Sequence, residues 1–248
     1  MNIIINGAKG RMGRILTEMI EAEGACRVTA KVDQNAVPGD GCLSALTDYD
    51  GPADVVMDFS HHAASQTVSA YCAARRLPVV VATTGQTEEE LAAIREAAKQ
   101  VPVFLSANMS IGVALLAELA QKAASVFPEA DIEIIEKHHN QKLDVPSGTA
   151  LLLARRIREA RPDAQFVIGR HENGKRAPQE IGIHSLRYGS EVGTHEIIIS
   201  TGRETVTLKH EAENRALFAQ GALAAARFLM GRQPGLYDMR DMMAQEGK

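Results

Sequence analysis

The sequence has no tryptophan, few aromatic residues and only three cysteines, and each shortage excludes a class of protein. Aromatic residues make up 4% of the 248 residues, which is too few for the stacking platforms that bind single-stranded nucleic acids. Cys26, Cys42 and Cys72 form no CxxC pair, and their odd number leaves one thiol over from any disulfide scheme. We therefore expect a reduced, cytoplasmic protein.

Long apolar runs and long runs of one charge sign are also missing. No apolar run approaches the roughly 20 residues needed to span a bilayer, and no basic segment precedes an apolar one at the start. The formal net charge is -4, so nothing concentrates positive charge for a nucleic-acid backbone. We expect no signal peptide, no membrane partner and no nucleic-acid partner.

Short β-branched runs alternate with helical patterns through the first half of the chain. Strands that alternate with helices pair in parallel through right-handed crossovers, so this half predicts an α/β domain around a parallel sheet. Strands are predicted at 3–5, 28–32, 54–59, 79–81 and 103–105, and helices at 13–23, 61–75 and 87–100.

The pattern changes near 108–112, after which several strands follow one another with few helices between them. Strands in succession indicate a mixed or antiparallel sheet, and therefore a second, α+β domain. Its strands are predicted at 132–136, 166–168, 180–187, 194–200 and 205–210, and the helices of this half at 111–127, 147–161 and 214–230.

A glycine-rich loop, GAKGRMG at 7–13, follows the first predicted strand and opens a helix. The spacing of Gly7, Gly10 and Gly13 differs from the commonest fingerprint, but a tight turn, close phosphate approach and helix–strand packing all favour glycine there. Asp33 ends the second predicted strand 20 residues after Gly13, where an acid accepts hydrogen bonds from ribose hydroxyls. A turn-forming aspartate is the alternative. We predict an N-terminal Rossmann dinucleotide-binding domain.

The choice of cofactor depends on the charges near the adenosine ribose. The Asp33 carboxylate repels a 2′-phosphate and therefore favours NADH. NADPH stays open, because Lys9, Arg11 and Lys31 can compensate if they lie close by.

Two further loops follow predicted strands at the carboxyl edge of the parallel sheet, where open α/β folds bind ligands. One loop contains Thr83-Thr84-Gly85, and the other contains Ser106-Ala107-Asn108-Met109. Ordinary βα connections are the alternative for both.

The densest group of reactive side chains is EKHHNQKLDVPSGTA at 136–150. Pro146 disfavours a helical Val145, so a helix is expected to begin near Ser147. The backbone N–H groups of Gly148 and Thr149, together with the neighbouring hydroxyls, would then bind a carboxylate.

Positive charge and transferable protons lie just ahead of that helix, on His138, His139 and Lys142. Such a group fits a small carboxylate substrate that takes up a proton during reduction. The alternatives are an N-capping Ser147, a solvated Lys142 and adjacent histidines that point to opposite sides of an extended chain. A metal site is disfavoured, because the histidine spacing matches no HExxH or Cys/His zinc pattern.

These motifs resemble those of the 4-hydroxy-tetrahydrodipicolinate reductases, also called dihydrodipicolinate reductases. The resemblance rests on the glycine loop, on ATTG at 82–85 and above all on 136–150, and it continues through 188–195 to 235–239. It implies reduction of the cyclic dicarboxylate, through its dehydrated form, to tetrahydrodipicolinate in the diaminopimelate route to lysine. The cofactor would be NADH and/or NADPH.

The resemblance also implies an architecture: a Rossmann domain at 1–109 and 215–248, and a substrate-binding and oligomerisation domain with a mixed sheet at 110–214. Homotetramers are implied as well. Gln34 departs from the arginine that many members carry after the acid at the second strand.

Residue roles follow from the same resemblance. His138 matches the family's proton donor/acceptor, and Lys142 matches its proton donor. The substrate carboxylate site matches His139, Ser147, Gly148 and Thr149. The cofactor contacts match Gly7, Ala8, Lys9, Gly10, Arg11, Met12, Asp33, Ala82, Thr83, Thr84, Ser106, Ala107, Asn108 and Met109.

Two rival functions fit part of the sequence. A nicotinamide-sensing regulatory protein explains the glycine loop but not the histidine–lysine cluster, and no basic recognition helix is apparent. A Rossmann dehydrogenase of another small carboxylic acid, such as aspartate, is the rival among enzymes.

Overall fold

The computed structural model describes residues 1–246, and the backbone packs into two compact units. The first unit comprises residues 1–110 with the chain from Arg215 onward, and the second is Ile111–Asn214. The first boundary lies one residue from the predicted division. Residues 247–248 of the predicted first domain lie outside the described residues. Which unit binds cofactor and which binds substrate stays a prediction.

Helices and strands alternate up to residue 110, whereas strands dominate from there to residue 214. In chain order the elements are β1 (Asn2–Asn6), α1 (Arg11–Glu23), β2 (Arg27–Val32), β3 (Val55–Asp58), α2 (Ser65–Arg75), β4 (Val79–Val81), α3 (Glu88–Ala98), β5 (Pro102–Leu105), α4 (Ile111–Val126), β6 (Asp131–His138), α5 (Gly148–Ala160), β7 (Gln165–Ile168), β8 (Glu180–Arg187), β9 (Gly193–Ser200), β10 (Thr205–Ala212), α6 (Ala216–Leu229), β11 (Gly235–Tyr237) and α7 (Met239–Glu246).

The first unit is built on a six-stranded parallel sheet in the order β11-β5-β4-β3-β1-β2. Its central strands are continuous apolar runs, such as Ile3–Ile5 and Val79–Val81, and they are fully buried. A parallel strand that is covered by helices on both faces needs apolar residues at every position rather than at alternate ones. The carboxyl ends of β1, β3 and β4 therefore meet at one edge of this sheet.

The second unit contains a five-stranded mixed sheet in the order β10-β9-β6-β8-β7. Strand β6 at its centre pairs in parallel with β8 and antiparallel with β9. Ile132 and Ile134 of β6 pack with Leu153 and Ile157 of α5 in one buried core. Because side chains alternate along a strand, Glu136 and His138 lie on this same face, beyond the apolar core.

The predicted fold class, a Rossmann domain plus an α+β domain with a mixed sheet, is confirmed. The main departures from the sequence-based prediction concern β6, the helix at 61–75 and the end of the chain. Strand β6 runs on to His138 instead of ending at 136, the predicted helix at 61–75 begins with a separate 3-10 turn at His62–Ala64, and β11 and α7 were not predicted. Strand β11 has three residues and is held by its pairing with β5, so no periodicity in the sequence announces it.

No helix within residues 1–246 is both long and apolar enough to cross a bilayer.

Candidate active site

The glycine loop of the first unit packs so tightly that two of its positions admit no side chain. A Cβ on Gly7, whose φ is 80°, would stand 2.6 Å from the carbonyl oxygen of Phe59. A Cβ on Gly13 would stand 2.2 Å from the carbonyl oxygen of Gly7. Gly10 caps α1 without a side chain, and the first turn of α1 carries no acidic residue. The N–H groups at this helix end therefore suit a pyrophosphate.

Asp33 holds the glycine loop and a turn at the same time. Its buried carboxylate accepts hydrogen bonds from the backbone N–H of Lys9 through Oδ2 and from that of Asn35 through Oδ1, both at 2.9 Å. Asp33 therefore forms the turn that was the alternative interpretation. Binding of a ribose stays compatible with this, because Asp33 also lines a cavity beside the loop. Ribose binding by Asp33 stays a prediction.

The three cations considered for a 2′-phosphate differ in their surroundings. The Lys9 ammonium donates hydrogen bonds to Asn35 O at 2.6 Å and to Asp40 Oδ2 at 2.8 Å. The hydrogen bond from Lys9, with backbone N–H groups, lowers the pKa of Asp40 to about 2. Lys9 is therefore already neutralised by an ionised partner. Arg11 lines a different cavity, and Lys31 is among the lining residues of neither.

Two cavities lie along the carboxyl edge of the parallel sheet. The larger, about 690 Å³, is lined by the glycine loop, the end of β2 and the segment 44–46. The smaller, about 440 Å³, is lined by Arg11, Met12 and the predicted residues Ala82, Thr83 and Thr84. Phe59, Ser60 and His61 line both. Two pockets that share a wall beside a helix N-terminus suit the two halves of a dinucleotide.

The buried carboxylate of Asp58 connects side chains at this edge of the sheet. Asp58 Oδ1 accepts hydrogen bonds from Asn6 Nδ2 at 2.8 Å and from Ser60 Oγ at 2.5 Å, and its Oδ2 accepts one from Thr83 Oγ1 at 2.9 Å. Burial raises the pKa of Asp58, and hydrogen bonds from these three side chains and from the backbone N–H of Ser60 oppose this only in part. Asp58 thus ties together the ends of three strands, β1, β3 and β4.

The loop Ser106–Met109 is the one predicted cofactor segment that lines neither cavity. Ser106 Oγ donates a hydrogen bond to Asn108 O at 2.7 Å and accepts one from Asn108 N at 3.3 Å. Met109 is buried. These bonds order the loop internally, and its contact with a cofactor stays a prediction. Ala8 is also buried, with its N–H donated to Val32 O.

The predicted catalytic residue His138 ends β6 and is held by a carboxylate on the same strand. Its Nδ1 lies 2.5 Å from Oε2 of Glu136, which is fully buried. Arg187 of β8 donates hydrogen bonds to the same carboxylate from both terminal nitrogens, at 2.9 Å to Oε2 and 2.6 Å to Oε1. Burial disfavours the charge on Glu136, but hydrogen bonds from His138 and Arg187 hold the pKa of Glu136 well below its usual range.

Ser147 serves as the N-cap of α5 and is 1% exposed. Its Oγ accepts a hydrogen bond from Ala150 N at 3.2 Å and lies 3.2 Å from Nε2 of His195. The N-cap alternative for Ser147 is therefore observed. His195 of β9 stacks edge-on against His138 with ring centroids 5.2 Å apart. Burial and the nearby His138 lower the pKa of His195 to about 3, so this ring is neutral.

The carboxylate of Asp144 contacts both Lys142 and the start of α5. Lys142 Nζ lies 2.9 Å from Asp144 Oδ1, and the backbone N–H of Gly148 also bonds the Asp144 carboxylate. Burial opposes the charge on Asp144, and the Lys142 and Gly148 contacts lower its pKa. Gly148 is exposed, while Thr149 and His139 are half-buried. His139 follows the strand, with its backbone N–H donated to Glu191 O.

Within residues 1–246, no three histidine, cysteine or acidic side chains are grouped in a way that could hold a metal ion.

Several residues of these sites were not predicted from the sequence. In the second unit they are Glu136, Arg187 and His195, and in the first unit they are Asp58, Ser60 and His61. The period of two along β6 would have indicated Glu136, since it shares a face with His138. Polar residues directly after a buried parallel strand would have indicated Asp58 and Ser60.

Comparison with known proteins agrees with the predicted family. The family model described as dihydrodipicolinate reductase, N-terminus, matches residues 1–109, and its C-terminus counterpart matches residues 112–243. The 4-hydroxy-tetrahydrodipicolinate reductase of Caldanaerobacter subterraneus subsp. tengcongensis is 44% identical over 246 residues, covering 98% of both chains. That of Clostridium tetani is 40% identical over 250 residues, covering 98% of this chain and 97% of its own.

A solved structure is also similar along the whole chain. It is the dipicolinate-bound dihydrodipicolinate reductase of Paenisporosarcina sp. TG-14, with a TM-score of 0.76, 26% identity, and coverage of 96% of this chain and 97% of that one. The predictions of a nicotinamide-dependent reductase and of its NADH and/or NADPH cofactor are confirmed at the level of the family, ahead of the two rival functions. The chain belongs to the dihydrodipicolinate reductase family.

Proposed function

We propose that this chain reduces 4-hydroxy-tetrahydrodipicolinate, through its dehydrated form, to tetrahydrodipicolinate in the diaminopimelate route to lysine. The observation that carries this proposal is the carboxylate of Asp144, which is bound jointly by Lys142 and by the first N–H of α5. A position that already holds a carboxylate with an ammonium and a helix N-terminus has the donors for a substrate carboxylate. The similar solved structure is described as binding dipicolinate, a small dicarboxylate.

Each residue near α5 has a distinct task in this proposal. The N–H groups of Gly148 and Thr149, with His139, orient a substrate carboxylate. Lys142 gives a proton from Nζ to the substrate, and His138 acts as donor or acceptor from its ring. Ser147, being a buried N-cap, orders the helix end instead of binding substrate directly.

The nicotinamide cofactor supplies a hydride when it is bound. Gly7 to Met12 would hold its pyrophosphate, Asp33 its adenosine ribose, and Ala82 to Thr84 the part that fills the smaller cavity. The missing side chains at Gly7 and Gly13 and the uncapped end of α1 fit such a group.

NADH is the preferred cofactor in this proposal. A 2′-phosphate beside Asp33 would meet a buried carboxylate, and the ammonium that lines the same cavity, that of Lys9, is paired with ionised Asp40. Arg11 lines the other cavity, and Gln34 is uncharged. Of the three cations considered, none is therefore unpaired in the cavity that Asp33 lines, and the repulsion is not offset there.

The proposal is tested by steady-state kinetics of the full chain with the condensation product of aspartate semialdehyde and pyruvate. We expect turnover with a higher kcat/KM for NADH than for NADPH. Lys142→Ala should lower kcat about 10²–10⁴-fold, as expected for loss of a placed proton donor, with KM for NADH unchanged. Lys209→Ala removes a lysine that pairs with an acid two residues along, as Lys142 does, and should leave kcat unchanged.

Three results would count against this proposal. An absence of turnover by the unsubstituted chain refutes the function. Near-normal kcat in Lys142→Ala refutes the role of Lys142. Equal or better kinetics with NADPH refute the cofactor preference.

Homotetrameric assembly and a cytoplasmic location complete the proposal. The face of the mixed sheet opposite α5 carries Ile135 and Ile198, both half-buried, and Leu186 is 42% exposed. Apolar side chains on an uncovered sheet face support association with further copies of the chain. Sedimentation velocity that shows only a monomer at assay concentration would contradict the tetramer.

A further inference from the structure

Glu136 joins three elements of the second unit through one buried carboxylate. Its Oε2 contacts His138 Nδ1, both oxygens contact Arg187, and Oε1 accepts the backbone N–H of Ser147 at 3.1 Å. Arg187 in turn donates to the backbone oxygen of Asp144 at 2.8 Å. The carboxylate is thereby bound to β6, to β8 and to the N-cap of α5, and it cannot rotate without losing several charge-assisted hydrogen bonds.

The two edges of the His138 ring differ. The Nδ1 edge faces a carboxylate that Arg187 keeps ionised, so Nδ1 carries a proton and donates it to Glu136. The Nε2 edge lies against Gly193 of β9, where a Cβ would stand only 3.0 Å from Nε2. Glycine at this position leaves room beside Nε2 that a side chain would fill, and His138 as a whole is 8% exposed.

The charges around His138 come from every neighbouring element. Glu136 lies on its own strand, Arg187 on β8 and His195 on β9, with His210 opposite His195 on β10. Lys142 and Asp144 lie in the loop that follows β6. Because Arg187 and Lys142 are cations and His195 is neutral, Glu136 is the acid in direct contact that can compensate a second proton on His138.

We propose that Glu136 is a positioning residue, which fixes the proton of His138 on Nδ1 and leaves Nε2 as the atom that exchanges a proton with the substrate. This inference rests on the proposed function of His138. Glu136 does not touch the substrate and takes no proton itself. It stabilises the imidazolium when His138 is protonated on both nitrogens, as a buried carboxylate does for the histidine in hydrolytic triads.

The main test is Glu136→Gln in the full chain, which keeps the shape and removes the charge. We expect kcat to fall about 10²–10⁴-fold with KM for NADH unchanged. The limb of the kcat/KM pH profile that reports His138 should move to lower pH by about one unit or more, because the imidazolium has lost its carboxylate. An unchanged limb would overturn the proposal, since a merely structural carboxylate leaves it in place.

Glu133→Gln is the matched control. Glu133 lies on the same strand and contacts His184 Nε2 at 2.8 Å and Arg176 Nη1 at 2.8 Å, so it has the same kinds of partner. By strand alternation it faces the other side of the sheet, which is the face proposed for self-association, so its kinetics are compared at an unchanged sedimentation coefficient. Glu133→Gln should leave kcat within about twofold of that of the unsubstituted chain, as expected for a partly exposed pair. The limb of the pH profile should stay in place. If it shifts the same limb, the effect is general and the assignment to Glu136 fails.

A second measurement needs no folded Glu136 variant. In the unsubstituted chain labelled with ¹⁵N-histidine, long-range ¹H–¹⁵N spectra, assigned through His138→Gln, should show the neutral ring of His138 with its proton on Nδ1. A proton on Nε2 overturns the proposal. This readout does not depend on turnover. An inactive chain with an Nδ1–H tautomer would therefore refute the proposed function and leave the role of Glu136 as a positioning residue intact. If Glu136→Gln does not fold, Glu136→Gln combined with Arg187→Met supplies the kinetic test without an unpaired guanidinium.

Discussion

Among the side chains that the structure describes, each unit contains one fully buried carboxylate near the carboxyl end of a central strand, and the two carboxylates have different surroundings. Asp58 on β3 is bound by neutral donors, which are an amide, two hydroxyls and a backbone N–H. Glu136 on β6 is bound by a guanidinium, an imidazole and a backbone N–H. Burial raises the pKa of Asp58, whereas the partners of Glu136 outweigh burial and lower its pKa.

This difference matches what each site has to do. In the proposed function the first unit holds strand ends and loops in place around a dinucleotide, and neutral hydrogen-bond donors suit that task. The proposed function of the second unit includes a proton transfer, and a histidine between an ionised carboxylate and a substrate can perform it. The contrast also implies that the two carboxylates respond differently to substitution and to pH.

The largest effect on stability is expected for Arg187→Met. Removing the guanidinium leaves the carboxylate of Glu136 buried without its main cation, and breaking a buried pair in this way costs about 3–5 kcal/mol. The free energy of unfolding from urea denaturation near neutral pH measures it. Arg227→Met removes an exposed pair with Glu23 and should cost about 1 kcal/mol or less.

Adding Glu136→Gln to Arg187→Met should recover part of the loss, since both charges are then gone. If Arg187→Met costs no more than Arg227→Met, the Glu136 cluster is not held by charge, and the contrast with Asp58 is lost.

An intermediate effect is expected from pH, through His195. The pKa of His195 is lowered from 6.5 to about 3, mainly by burial. Below about pH 6.5 the unfolded chain therefore binds a proton at this residue, whereas the folded chain does not. Stability is therefore complete above this pH and falls as the pH drops. Between about pH 7.5 and pH 5 the loss from this residue is about 2 kcal/mol.

His195→Asn should flatten this part of the stability profile, measured by denaturation at several pH values. His171→Asn, at an exposed histidine, should leave the profile as it is. Glu136 does not contribute in this window, because its lowered pKa places its loss of stability below about pH 4.5. A profile of unchanged steepness in His195→Asn would show that the ring already takes up its proton in the folded state.

Local patterns in the sequence predicted most of the architecture and one part of each site. The glycine loop, the start of α5 after Pro146 and the two kinds of sheet depend on turn chemistry and on periodicity over a few residues. Arg187 and His195 could not be assigned in this way. They reach Glu136 and Ser147 through the register of β8 and β9 against β6, which joins residues about 50 positions apart.

The same reasoning explains which elements were missed. Strand β11 depends on its pairing with β5, more than 100 residues earlier, and not on its own three residues. The extension of β6 to His138 depends on backbone pairing with β8, where His138 lies opposite Arg187. Polar residues at the end of a strand do not continue the apolar alternation by which strands are predicted. The predicted strand therefore ends before the residues of the site.

The smallest effect is expected for Asp58→Asn. The new amide oxygen can accept from Asn6 and Ser60, which share one oxygen of Asp58, and the hydroxyl of Thr83 can rotate to accept from the new amide nitrogen. Loss of the charge also removes the burial penalty that raises the pKa of Asp58. The net cost should be about 1 kcal/mol or less, from urea denaturation near neutral pH.

Asp58→Ala should cost more than Asp58→Asn, because it leaves the Asn6 amide and two hydroxyls near the sheet edge without their acceptor. It should also raise KM for NADH, since Ser60 and Thr83 line the cavities of the first unit. If Asp58→Asn instead costs as much as Arg187→Met, the carboxylate of Asp58 is held by its charge, as that of Glu136 is. The two buried carboxylates would then be alike, and the division between a neutral scaffold and a proton-transfer cluster would not hold.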